Sequence, residues 1–561
     1  MRWQRFFPFL AWPRLTGAAL AKDAWAGLSV GLVLIPQSLA YATLAGMPPE
    51  TGLYAALLPA LVGILWGSSS LLAVGPVALT SLLTFASIQP LAPPWSALWV
   101  QMAIWLAVYA GVMQLLLGAF RLGAIANFVS LPVISGFINA AAVIIIVSQL
   151  PSLLGLPTRF DASWLQRAGM LLDEDASRVA GVAAFGTGAL VFLMVQKRLA
   201  PRLPGVLVVC AVGIAASMWL GLARNLADVV GVVPRGLPSL HLPPALGLAQ
   251  HRALLPAAMI IALISFTEAM SSCRTLSRKC GSRWNENQEL IGQGLAKIAS
   301  GLCGGFPVSG SFSRSALNLY VGAKTGWSTI FACACVVACL LWATPLLYYL
   351  PRAVLAAIII VPVIGLLDLA VFARLYQLSH VDGVVALLTF AVTLLSVPYL
   401  HWGVFAGFML SLMCYLYRRA RPRVIEVGLH ADGTLRDCSV HALPPIAPHV
   451  MAVRMDAAIT YITAPVLERF VMDGAAGRPA LRTVLLCLSA ANDIDATGVE
   501  MLRQLRANLD EVGIALSFSG IKKQVAEVLY RTAILESLGH GNVFATDREA
   551  ACALSPVHAS S

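Results

Sequence analysis

The stretch Gly304-Gly305-Phe306-Pro307-Val308-Ser309-Gly310-Ser311-Phe312-Ser313-Arg314-Ser315-Ala316-Leu317-Asn318 sets glycines, hydroxyls and one arginine in apolar surroundings. Arg314 is the only formally charged residue between Lys297 and Lys324. A cation at membrane depth is expensive, so it normally faces a cavity or a partner. Gly310, Ser311 and Ser313 predict the start of a short helix whose unpaired N–H groups and positive dipole end would meet an anion. The same residues suit a re-entrant turn with Arg314 reaching for an interface, and this stretch alone does not choose.

Two further sets carry chemistry. Glu268 is the single charge from Ala253 to Cys273, and Ser271 and Ser272 follow it at helical spacing on one face. Such a carboxylate carries a proton, or with neighbouring oxygens holds a cation such as sodium; the plain alternative is an ion pair with a membrane arginine. Gln37 and Tyr41 lie four apart after Pro36, where a kink frees a backbone carbonyl, and line a cavity or make an interhelical bond. No nucleophile, base and orienting group recur at motif spacing, so an enzyme is not expected.

The elements that must position these groups are membrane helices. Of the 561 residues 58% are hydrophobic and 12% charged, with mean hydropathy +0.80, far from the roughly 25% charged typical of soluble domains. From Ala24 to Phe120 the only charged side chain is Glu50, and Leu122–Thr158, Thr325–Leu350 and Gly383–Tyr417 have none. These runs hold several spans each. Spans are expected at 24–45, 53–66, 97–119, 132–150, 179–196, 203–222, 253–273, 328–350, 353–367, 383–397 and 399–417. After Gly75, Pro76 suits the first position of a helix that Pro90, Pro93 and Pro94 make too short to cross. It pairs with the one after Gly310; two interrupted segments in corresponding halves point to a transport site.

The net charge of +11 does not imply nucleic acid, because the basic residues cluster at the edges of apolar runs. Arg121, Lys197-Arg198 with Arg202, Arg274 to Arg283 and Arg418 to Arg423 mark the cytoplasmic side, and Asp161 and Asp173-Glu174-Asp175 the outside. Residues 1–23 are expected as a cytoplasmic lead-in rather than a secretory signal, since Pro13 and Arg14 interrupt the apolar core. The eleven cysteines show no regular ladder or Cys-x-x-Cys pair, and no metal site or cofactor is expected beyond a coupling proton or sodium. After residue 420 the composition turns soluble: a turn-rich linker (421–448), then alternating strands and helices (449–552) that predict a small α/β domain with a largely parallel sheet, then a disordered tail (553–561).

Ile35–Gly46, Gly75-Pro76, Glu268–Arg274, Asn287–Gly292 and Gly304–Asn318, in this order, resemble the sulfate permease (SulP) family of anion transporters, and the tail resembles that family's cytoplasmic STAS domain. The resemblance implies a polytopic α-helical membrane protein with about 14 transmembrane segments. These form a 7+7 inverted repeat like that of uracil permeases, in which a core moves against a gate. It implies a substrate site of Gln37, Tyr41, Val77, Ala78, Ser313 and Arg314, coupling at Glu268, a homodimer, and residence in a bacterial inner membrane with both termini cytoplasmic.

The STAS loop that often reads Asp-Ser-Ser-Gly is Asp495-Ala496-Thr497-Gly498 here. Thr497 is first a helix N-cap and second a phosphorylation site; dimer contacts, trafficking or binding a cytoplasmic protein are the more expected roles of this domain. The leading expectation is a secondary active transporter of sulfate, bicarbonate or a dicarboxylate, in proton or sodium symport by alternating access. The alternative is an uncoupled channel or exchanger, or a sensory scaffold centred on the STAS domain.

Overall fold

A computed structural model describes residues 7–12, 16–124, 130–156, 176–199, 205–220, 229–281 and 284–555. The acidic loop expected outside (Asp161, Asp173 to Asp175), Arg202, Arg283, the first basic residues of the chain and the end of the expected tail (556–561) lie outside these residues. The chain divides into two compact units, Met1–Ser411 and Leu412–Ser561.

In the first unit, helices α1 (Gly17–Leu44) and α2 (Pro49–Trp66) precede a three-residue strand β1 (Ala73–Gly75) and the short α3 (Ala78–Ile88). Then come α4 (Ala97–Ala119), α5 (Leu131–Leu153), α6 (Ala176–Leu199) and α7 (Gly205–Leu220). The order repeats with α8 (Leu248–Cys280), α9 (Glu286–Leu302), strand β2 (Ser309–Ser311) with short α10 (Phe312–Val321), α11 (Trp327–Ala338), α12 (Arg352–Ile364), α14 (His380–Leu395) and α15 (His401–Arg419). The nine-residue α13 (Ala370–Leu378), which apolar runs did not predict, sits between α12 and α14. Among the described residues each series therefore has seven segments, the third of which is a strand followed by a short helix.

Three expected boundaries change for physical reasons. α1 begins at Gly17, capped by Thr16, and not at 24. Asp23, assigned to the lead-in, is buried within it because the carboxylate accepts the amides of Lys324 and Thr325 and the Thr325 hydroxyl. Pro76 precedes rather than begins α3, whose N-cap is Val77. The expected span 328–350 is α11, a π-helical turn (Cys339–Ala343) and a short helix (Thr344–Leu347); the Leu340 carbonyl accepts from Gly236 N at 3.2 Å.

Close packing fixes α9. A Cβ on Gly111 of α4 would stand 2.7 Å from the Gly294 carbonyl, and one on Gly294 would stand 2.6 Å from Leu115 N. Only glycines let these backbones approach so closely.

In the second unit the sheet order is β4 (Leu435–Asp437), β3 (Val424–Leu429), β5 (Val450–Met455), β6 (Thr483–Cys487), β7 (Ala515–Ser519) and β8 (Val543–Phe544). The last four pair in parallel, as alternation of strand and helix requires, but β3 pairs antiparallel with both β4 and β5. The expected linker 421–448 thus contains two strands of the sheet; Pro422 precedes them, and the cluster Pro444, Pro445 and Pro448 follows them. Helices α16 (Ala464–Ala476), α17 (Ala496–Glu511), α18 (Lys523–Arg531), α19 (Ile534–Leu538) and α20 (Asp547–Leu554) complete the unit. The helix expected from 524 to 538 is broken at Ala533, whose φ is 57°, and α20 continues into the expected tail.

Candidate functional site

β1 and β2 pair antiparallel, Val74 opposite Gly310 and Gly75 opposite Ser309, so α3 and α10 leave opposite ends of one short ladder. Val77 cannot cap α3 with a side-chain oxygen, whereas the Ser311 hydroxyl accepts from Arg314 N at 3.4 Å. Uncapped first-turn amides and a dipole end favour an anion.

Arg314, 2% exposed, lies at this junction. Its Nη1 donates to the Pro76 carbonyl at 2.8 Å, while the buried Nε and Nη2 have no protein acceptor. A buried unsatisfied charged donor costs more than a neutral one, so a ligand that accepts these hydrogens is favoured. Gly75 makes room: a Cβ there would stand 3.2 Å from Nη2. Val77 and Ala78 are buried.

Gln37 and Tyr41 are buried on α1, which continues as a helix through Pro36, and Gln37 Oε1 has no partner. Tyr41 feels both Arg314 and Glu268 electrostatically, which brings these three together. The Leu34 side chain, one turn before Gln37, lies 3.9 Å from a Cβ built on Gly75. Ser313 is exposed, with its hydroxyl 3.4 Å from that of Ser311.

Glu268 sits on α8 with Oε2 buried and unpartnered, in the fields of Arg314 and Lys297. The serines expected beside it do not converge on it. Ser272 Oγ donates to the Glu268 main-chain carbonyl at 3.2 Å, and Ser271 is exposed. The two expected serines are therefore not gathered on the carboxylate; the Ser309 hydroxyl of β2 lies beside it and joins α8 by donating to the Ser265 carbonyl at 3.0 Å.

Sequence reasoning passed over Lys297, Gln114 and Glu289. Lys297 Nζ donates to Gln114 Oε1 at 2.9 Å, and Gln114 Nε2 donates to the Ala262 carbonyl at 2.6 Å and Ser265 Oγ at 3.1 Å. Lys297 and Gln114 are fully buried. The available signal was a lone charge between Glu289 and Arg314. Glu289 is buried too, accepting the amides of Ser68 and Ser69 at 2.9 and 3.1 Å.

A cavity of about 460 Å³ lies between α1 and α3 on one side and α5 and α12 on the other. It is lined by Thr43, Phe85, Gln89, Ser148 and Arg352 among others, at the C-terminal ends of α1 and α3, and by none of the predicted site residues. In the second unit Thr497 is exposed in the first turn of α17, but the N-cap is Asp495, which accepts from Gly498 N at 2.8 Å. The cap expected of Thr497 therefore belongs to a residue two positions earlier.

The profile described as "Sulfate permease family" matches residues 20–389, and that of the STAS domain residues 442–550. A probable sulfate transporter of Mycobacterium tuberculosis is 32% identical over 94% of this chain and 94% of its own. The sodium-independent sulfate anion transporter of Bos taurus is 31% identical over 94% and 88%. Among solved structures, SLC26A9 superimposes with TM-score 0.88 at 21% identity, covering 98% of this chain and 92% of that one. The transmembrane domain of the cyanobacterial bicarbonate transporter BicA gives 0.59 at 21%, covering 71% and 99%. These likenesses establish the 7+7 inverted-repeat fold with a C-terminal STAS domain.

Proposed function

Since the chain belongs to the sulfate permease family, whose members are membrane transporters of anions and not enzymes, we propose that it carries sulfate by alternating access, coupled to a proton held on Glu268. The observation that carries this is Arg314: a buried guanidinium with two unspent donors beside two paired helix N-termini. A tetrahedral oxyanion accepts hydrogen bonds from several directions and matches both the guanidinium and the amides. Relatives named as sulfate transporters favour sulfate over bicarbonate or a dicarboxylate.

A proton suits Glu268 better than sodium, because Ser271 and Ser272 supply it with no oxygen cage. Protonation removes a negative charge close to where the anion binds, so proton and anion favour each other's binding. An uncoupled pathway has no need of an ionisable carboxylate in the field of Arg314. Lys197-Arg198, Arg278-Lys279 and Arg418-Arg419 end α6, α8 and α15, which alternation puts on one side; this supports cytoplasmic termini and a cytoplasmic STAS domain.

The test is labelled sulfate uptake into proteoliposomes under imposed proton or sodium gradients. Accumulation driven by the proton gradient and lost in Glu268→Gln supports the reading. Accumulation driven by sodium alone, or a gradient-independent leak, overturns the proton coupling.

A further inference from the structure

Behind the anion site lies a second buried cation that the transport mechanism above does not use. Lys297 is wholly enclosed in α9, and its ammonium donates to Gln114, which in turn donates to Ser265 Oγ on α8. Ser265 is one helical turn before Glu268, and its carbonyl accepts from Ser309 of β2. The Lys297–Gln114–Ser265 chain therefore ends where Glu268 and the β1–β2 ladder meet, and Lys297 and Glu268 act on each other electrostatically. Few other charges approach. α2 brings Glu50 and Tyr54, α4 brings Tyr109, and α9 itself carries Glu286 and Glu289; of these Glu289 is occupied by the Ser68 and Ser69 amides. His251, Arg252 and the basic residues from Arg274 to Lys279 stand towards the ends of α8.

We infer that Lys297 is a specificity-determining residue that sets the charge of the empty site, so that a divalent oxyanion crosses with one proton and a monovalent anion with none. The charge count rests on the anion and proton readings of Arg314 and Glu268. With Lys297 and Arg314 protonated and Glu268 ionised, two cations face one carboxylate and the empty site carries one positive charge. A monovalent anion cancels it with Glu268 ionised. A divalent anion leaves one negative charge, cancelled when Glu268 takes a proton from water. Moving an uncompensated charge through a low-dielectric interior is costly, so the neutral combinations are those that move. Without Lys297 the empty site is neutral and a dianion is left with excess negative charge even when Glu268 is protonated.

The test compares sulfate with nitrate in gradient-free exchange by full-length protein in proteoliposomes, and in anion-dependent thermal stabilisation of the same protein in detergent, which needs no transport. Lys297→Gln should lower the sulfate-to-nitrate preference by at least about tenfold, the effect of one unit charge at an effective dielectric near 20. Lys297→Arg should retain it. Glu268→Gln should raise the preference, and Lys297→Gln combined with Glu268→Gln, in which no proton can cancel the second charge of a dianion, should leave it as low as in Lys297→Gln alone. An unchanged preference in Lys297→Gln overturns the inference. If that variant does not fold, an unchanged preference in Glu268→Gln overturns it instead. If Arg314→Ala binds both anions as the wild type does, the fault lies in the anion reading of Arg314. A wild type whose sulfate uptake ignores proton gradients overturns both the coupling role of Glu268 and the one-proton crossing of the dianion, even if the preferences move as stated.

Discussion

Arg314 Nη1 donates to the carbonyl of Pro76 at 2.8 Å, and so a side chain from the second series of seven segments holds the backbone of the first. The two residues are far apart in sequence, yet the bond stands beside the β1–β2 ladder and fixes the guanidinium with Nε and Nη2 unspent.

Gly75 is where this arrangement tolerates least. Its φ is +156° and an added Cβ would stand 3.2 Å from Arg314 Nη2. Gly75→Ala should reduce sulfate transport by about tenfold or more, since strain of this kind costs about 1–3 kcal/mol. The protein should still reach the membrane in near-normal amount. The check is initial uptake rate normalised to purified protein.

Arg314→Lys keeps the charge and loses the fork. An ammonium can still reach the Pro76 carbonyl, but it cannot also present two fixed donors to an oxyanion. Apparent sulfate affinity should fall about 10- to 100-fold, with the loss of about 1.5–3 kcal/mol expected for charged hydrogen bonds. A concentration series of uptake by the variant tests this; an unchanged KM would mean that the unspent donors do not meet the substrate.

In the second unit the cap assignment is directly testable. Asp495 accepts the Gly498 amide with one oxygen and the Tyr461 amide with the other. Asp495→Ala should destabilise the unit by about 1 kcal/mol, as loss of an N-cap does. Thr497→Ala should change stability by less than about 0.5 kcal/mol, as exposed positions do. Urea unfolding followed by far-UV circular dichroism on residues 421–561, which start after α15, measures both.

Asp437 gives that unit a dependence on acid. The Ser439 hydroxyl, the amides of Ser439 and Val440 and the Arg423 guanidinium all favour its charged form and hold its pKa at about 2. A depressed carboxylate contributes stability above its unfolded value, about 3.9, and that contribution is lost as pH falls through the folded value. The urea midpoint should therefore drop between about pH 4 and pH 2. Asp437→Asn should be weaker at pH 7 and show less of this acid loss; equal pH profiles for the two proteins would exclude the role.

Much of the membrane unit is legible in the sequence because long apolar runs and prolines are strong signals. Pro76 and Gly310 mark the two short helices, and Glu268 and Arg314 stand out as isolated charges. What escaped is non-local. Strands of three residues have no periodicity, so nothing in Ala73–Gly75 predicts its partner Ser309–Ser311. Asp23 looks like part of a basic lead-in until the backbone of Lys324 and Thr325 is placed against it. Ser271 and Ser272 share a face with Glu268 on an ideal helix, but hydroxyls within a helix also bond back to their own carbonyls, and Ser272 does so. The strands β3 and β4 were hidden in a segment that Pro422 opens and Pro444, Pro445 and Pro448 close.

The β1–β2 ladder has a mechanical consequence. Because the strands leading into α3 and α10 are hydrogen-bonded to each other, the two halves of the anion's grip cannot part like jaws. On the proposed alternating-access reading, the anion leaves when the wall facing it slides away, and its donors stay the same whichever compartment it came from. Affinity measured from the two sides of the membrane would then differ through solvation and potential alone.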